Sequence, residues 1–96
     1  MIQNAGTALI TADAAVNTAS VAVRVFAIHI ISGAGGGAIV SLRSGGAVSG
    51  TIWVTETGTA STGKTFSYGL QGIWFPSGCF VDVDTNTTSV AVTYSF

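Results

Sequence analysis

The sequence predicts an all-β fold, an antiparallel β-sandwich of jelly-roll type with seven or eight short strands. Three observations carry this. β-branched residues dominate the apolar runs, and no stretch collects enough strong helix formers to read as a good helix. The apolar runs are short, and several alternate with a period of two. Glycine, Asn and Asp clusters interrupt them about every 8 to 12 residues, the spacing of sandwiches and barrels.

Residues 7–11 form a possible first strand, and Asp13-Ala14-Ala15 fits either one helical turn or a loop. Residues 1–19 are small, polar and weakly patterned, so they divide from a sandwich domain over residues 20–96 as an N-terminal arm or a short first strand. Residues 20–32 are the longest strand. Strict alternation puts Val21, Val23, Val25, Ala27, His29 and Ile31 on one face and Ala22, Arg24, Phe26, Ile28 and Ile30 on the other. Both faces are largely apolar, which suits a central strand or one covered on both sides, and its length permits a bend feeding two sheets. Residues 33–37 break the run. Residues 38–44 resume it, with Ala38, Val40 and Leu42 opposite Ser41 and Arg43, and Gly45-Gly46 turns the chain. Residues 51–57 follow, with Ile52 and Val54 opposite Thr51, Trp53 and Thr55. Three short strands cover residues 64–68, 72–75 and 78–84, the last with Cys79, Val81 and Val83 inward. A turn at residues 84–87 uses Asn86, which tolerates a left-handed backbone. Residues 88–96 alternate strictly, with Val90, Val92, Tyr94 and Phe96 on one side.

Only 7% of the residues are charged, against about a quarter in a typical soluble domain. A chain of this mass exposes about 5,000 Å² when folded. Three basic and four acidic side chains cannot cover that area. The remaining coat of Gly, Ser, Thr, Asn and apolar atoms suits contact with neighbouring protein, and a net charge of -1 promotes self-association. The same balance offers no basic stripe for phosphates, so nucleic acid is not an expected partner. No apolar segment reaches the length a bilayer-spanning helix needs, and the N-terminus lacks the basic region of a secretory signal, so neither membrane nor export is expected. The single Cys79 forms no intrachain disulfide and reads as a small buried hydrophobe.

Several motifs invite chemistry. Gly58-Thr59-Ala60-Ser61-Thr62-Gly63-Lys64-Thr65 matches the phosphate-binding loop pattern, in which Lys64 would meet the terminal phosphates and Thr65 a magnesium ion. That chemistry needs a helix beginning at Lys64, whereas Phe66-Ser67-Tyr68-Gly69-Leu70-Gln71-Gly72 reads as strand and turn. Residues 33–38 imitate a dinucleotide fingerprint but run into a strand, which makes them a hairpin loop. Asp82 and Asp84, with Glu56, fit a carboxylate pair or calcium site on paper; on a strand whose inner face is Cys79, Val81 and Val83, they fit a solvated outer face better. His29 is the sole histidine, and no nucleophilic triad can be built from the spacing, so a hydrogen-bonded core or interface role is expected. One His and one Cys make no zinc site within a chain. No catalytic residue, metal or cofactor is therefore assigned. The aromatic residues Trp53, Phe66, Tyr68, Trp74, Phe75 and Phe80 fit core, subunit interface or a sugar-stacking platform. Trp53, Phe66, Tyr68, Trp74 and Phe75 are the candidate interface residues.

The segment Gly72-Ile73-Trp74-Phe75-Pro76-Ser77-Gly78-Cys79-Phe80-Val81-Asp82-Val83, followed by Val90-Ala91-Val92-Thr93-Tyr94, resembles small β-sandwich structural proteins of tailed bacteriophages. The Gly-rich loop and the Val40-Ser41-Leu42-Arg43 strand before it are similar as well, so the resemblance spans residues 26–96. It implies a virion component without an active site. The expectation is a capsid decoration (cement) protein that contacts other copies of itself and a larger capsid or tail protein. A neck or tail component is the alternative position. A carbohydrate-binding adhesion module, with Trp53, Trp74 and Tyr68 as stacking rings, is the alternative function, and nucleotide chemistry through Lys64 is a third.

Overall fold

The computed structural model describes residues 5–16 and 21–96. Nine strands are present among them: β1 (Ala5–Ile10), β2 (Ala14–Ala15), β3 (Val23–Ser32), β4 (Ile39–Ser44), β5 (Ile52–Thr57), β6 (Gly63–Ser67), β7 (Ile73–Phe75), β8 (Cys79–Val83) and β9 (Thr87–Ser95). All pairings are antiparallel. The first sheet runs β1-β9-β3-β6, with β7 also on β3, and the second runs β2-β8-β4-β5.

Strands β6 and β7 pair with successive stretches of the same edge of β3, Ala27–Ile31 and Val23–Val25. They are one strand interrupted by a loop, and counting them together gives eight. The order 1-9-3-6/7 over 2-8-4-5 is the connectivity of a jelly roll, which brings both chain halves into both sheets. The inner faces meet in a single core of Ile10, Val16, Val23, Val25, Ile28, Ile30, Ala38, Val40, Leu42, Phe75, Cys79, Val81, Val90 and Val92. Burial holds the Cys79 thiol neutral by pushing its pKa up to about 12.

Three sequence expectations change. First, of the two readings of the N-terminal segment, arm or short first strand, the described residues 5–16 follow the strand. Strand β1 pairs with β9 over its full length, and Ile10 and Val16 enter the core. The rest of the proposed arm, and the start of the long strand at residue 20, lie outside the described residues. The Ala14-Ala15 pair is strand, not helix or loop: it pairs with β8, and the Asp13 carboxylate prolongs the ladder by accepting from the Val83 amide at 2.8 Å.

Second, β3 does not keep one phase. The register slips between Val25 and Ala27, leaving Phe26 as an extra residue. Val23 and Val25 point inward before this bulge, and Ile28 and Ile30 after it. The strand therefore has one apolar inner face, and His29 and Ile31 turn outward. It is central, but all its pairs lie in the first sheet, so it does not feed two. Third, a similar slip between Leu42 and Arg43 of β4 bulges Trp53 out of β5. Trp53 stacks on Phe75 with ring centroids 4.9 Å apart, while Ile52 is 46% exposed.

The loop between β6 and β7 is held by backbone geometry. Gly72 has φ +64°, and a Cβ there would stand 2.6 Å from the Val25 carbonyl oxygen, so no other residue fits without a shift of the backbone. The Tyr68 amide donates to the carbonyl of the bulged residue, Phe26, at 2.8 Å.

Candidate functional site

The seven charged side chains decide what kind of surface this fold offers. Each one has a partner inside the chain. On the outer face of the second sheet, Arg43 grips Asp82 with two donors at 2.9 and 2.8 Å and donates a third bond to the Gly50 carbonyl at 3.0 Å. Asp84 closes the β8–β9 turn by accepting from the Asn86 amide and the Thr87 hydroxyl. Asp13 caps the short strand β2, as described. At the open side of the sandwich, Glu56 accepts from the Tyr68 hydroxyl at 3.1 Å and links the two sheets. Burial, reinforced by the Glu56 charge, pushes the Tyr68 phenol well above its ordinary pKa. Lys64 rests over the Phe66 ring, 5.2 Å from its centroid. Arg24 lies 5.1 Å from the Trp74 ring centroid and donates to the Gln71 carbonyl at 2.8 Å.

The outer face of the first sheet is what these engagements leave open. The registers place Leu9, Ala91, His29 and Thr65 in one cross-strand row, and Thr7, Thr93, Ala27 and Ser67 in the next. Ser89, Ile31 and Gly63 form a third row, and Ser95, Arg24 and Trp74 a fourth. Arg24 is the sole charge in these rows. The rest is hydroxyl, methyl and apolar side chain, with Leu9 69%, Trp74 43% and Ile31 41% exposed. His29 stands in the middle of this face, its Nδ1 2.7 Å from the Thr65 hydroxyl. Gly63 passes directly beneath its ring: a Cβ there would meet Nε2 at 2.8 Å. His29 is thus an exposed, hydrogen-bonded member of this face.

The five candidate interface residues divide. Trp74 is on the outer face of the first sheet and half exposed. Trp53 is half exposed at the rim of the second sheet, its ring against Phe75. Phe66 and Tyr68 pack against the core along the β5–β6 side. Phe75 is fully buried, so it is a core residue and presents nothing to a partner. Trp74 and Phe75 are adjacent in β7 and point to opposite faces. Trp53 follows Phe75, so the two tryptophans lie on opposite sides of β7 and share no stacking platform.

The remaining motifs resolve in the same way. Lys64 begins no helix: it lies in β6, so the phosphate-loop pattern lacks the amide cradle its chemistry needs. Residues 33–38 make a turn leading into β4. Asp82 and Glu56 are on different faces, Asp84 is in a turn, and each is committed to its own partner. What sequence reading missed was Leu9 and Ile31 as surface residues. The three-residue step from Val25 to Ile28 between inward valine and isoleucine pairs was the available sign of the bulge that exposes Ile31 and His29. Comparison with protein-family models, with curated proteins and with solved structures returned no match.

Proposed function

We propose that this chain is a non-enzymatic structural subunit of a tailed-phage particle, a capsid decoration or cement protein that acts by covering and being covered by neighbouring protein. The observation that carries the proposal is the outer face of the first sheet, whose cross-strand rows hold a single charge, Arg24, itself engaged by Gln71 and Trp74. Jelly rolls serve capsid and lectin domains alike, so the fold alone does not choose between them. The surface favours the first. An array of Ser, Thr and Ala can seat against another protein over a wide area without leaving a charge unpaired, which protein interfaces avoid at their centres. The separated tryptophans disfavour the lectin alternative.

Stabilisation would come from repetition. A standard contact covers about 800 Å² of each partner, out of 4875 Å² exposed here. Apolar burial contributes about 25 cal/mol per Å² before ordering costs. Each contact is modest, and a shell holds many copies. The test is mixing of the purified chain with tailed-phage capsids and tails, followed by sedimentation of the particles. Saturable binding to capsids, with an increase in the temperature at which the shell opens, supports the cement reading. Binding confined to necks or tails moves the subunit there. A chain that binds neither particle nor neighbour refutes the proposal.

A further inference from the structure

The sandwich has four sheet-edge strands, and they are not alike. An exposed edge presents unpaired amides and carbonyls, and proteins that stay monomeric blunt it with charge, bulges, interruptions or shortness. Strand β2 has two residues and is flanked by Asp13. Strand β5 carries the Trp53 bulge and Glu56. The β6/β7 edge carries Lys64 and is broken by the loop at residues 68–72. Strand β1 has none of these. Its sequence, Ala5-Gly6-Thr7-Ala8-Leu9-Ile10, contains no charge and no proline. Its pairing with β9 runs through six consecutive residues without a slip. Among the described residues, β9 is its only strand neighbour.

We propose that the free edge of β1 pairs antiparallel with β1 of a second copy, joining two first sheets into one continuous sheet across a two-fold axis. The inference rests on the self-association in the proposed function and names the surface responsible. A second copy is the occupant the edge fits. An antiparallel strand edge is self-complementary under two-fold symmetry, so each copy offers the donors and acceptors the other lacks. An uncharged strand brings no like charges together at the seam, and the adjoining outward residues of β9, Ser89, Ala91, Thr93 and Ser95, are small and uncharged. Leu9, 69% exposed beside the edge, gains cover from the joined sheet.

The experiment is a dilution series of the whole chain by analytical ultracentrifugation, with residue-resolved amide exchange at both ends of the series. The expected result is a monomer–dimer equilibrium in which alternate amides of residues 6–10 exchange slowly in the dimer and quickly on dilution. Leu9→Lys, an outward substitution at an exposed site, should weaken the dimer roughly tenfold or more by setting like charges beside the seam, while its circular dichroism stays that of the parent. A chain that remains monomeric to millimolar concentration, or an oligomer whose β1 amides gain no protection, overturns the proposal. Should Leu9→Lys fold poorly, exchange in the unaltered chain decides alone. Failure of the two readings is separable: a dimer paired through β1 that decorates no particle sinks the virion assignment and leaves the edge inference standing.

Discussion

Phe75→Ala separates core from interface more sharply than any other single change. Phe75 has no solvent exposure and is the largest fully buried side chain. It lies in the three-residue strand β7, beside β3 in the first sheet, and its inward ring stacks on Trp53 at 4.9 Å. Truncation loses roughly 2–3 kcal/mol of transfer free energy, and a cavity that the two sheets cannot fully close adds roughly 1–2 more, giving about 3–5 kcal/mol in total. The stability of a domain this size is about 5–14 kcal/mol, so the variant should still fold but with a large fraction of its stability gone. Urea unfolding followed by far-UV circular dichroism measures the loss, and the near-UV signal of Trp53 should flatten in the folded variant as its stacking partner disappears. Trp74→Ala is the control. That ring is 43% exposed on the opposite face of β7 and meets the Arg24 guanidinium, so its removal should cost about 1 kcal/mol or less. A Phe75→Ala protein within about 1 kcal/mol of the parent would refute the placement of Phe75 in the core.

Alkaline pH should unfold the chain early. The folded-state pKa of Cys79 is raised to about 12 and that of Tyr68 is raised in the same direction, so their contribution is intact below about pH 8, where both thiol and phenol are largely neutral in the unfolded chain as well. It declines as pH rises above that, by up to about 1.4 kcal/mol per pH unit for each group that ionises only on unfolding. Cys79→Ala should make the decline of the melting temperature above pH 9 shallower, and an unchanged slope would count against a buried thiol. Arg43→Ala leaves Asp82 without its partner and the Gly50 carbonyl without a donor; with both ionic side chains partly solvated, a loss of about 1–2 kcal/mol in urea unfolding is expected. Gly50→Ala drives a Cβ into the Ser44 carbonyl and should destabilise by about 1–3 kcal/mol in the same assay. Deleting residues 1–12 removes β1 and Ile10 from the first sheet, so the truncated chain should lose its cooperative melt, whereas a detachable arm would leave that melt intact.

The sequence by itself determined the all-β class, most strand positions and the inward set of β4, β8 and β9, because a period of two reports burial wherever pairing is regular. It also determined the scarcity of charge, which is composition and needs no fold. Tertiary structure decided the rest. Alternation carries no information across a bulge, since one extra residue reverses every side chain beyond it; that is why His29 and Ile31 moved to the surface and Trp53 turned onto Phe75. Strand order decided that residues 5–10 belong to the first sheet, because their partner β9 lies at the far end of the chain and no local pattern encodes so distant a pairing. The partners of the seven charges were equally invisible beforehand: Arg43 and Asp82 are neighbours only because β4 and β8 lie side by side. The surface that remains, almost without charge, is a property of how the chain closes on itself.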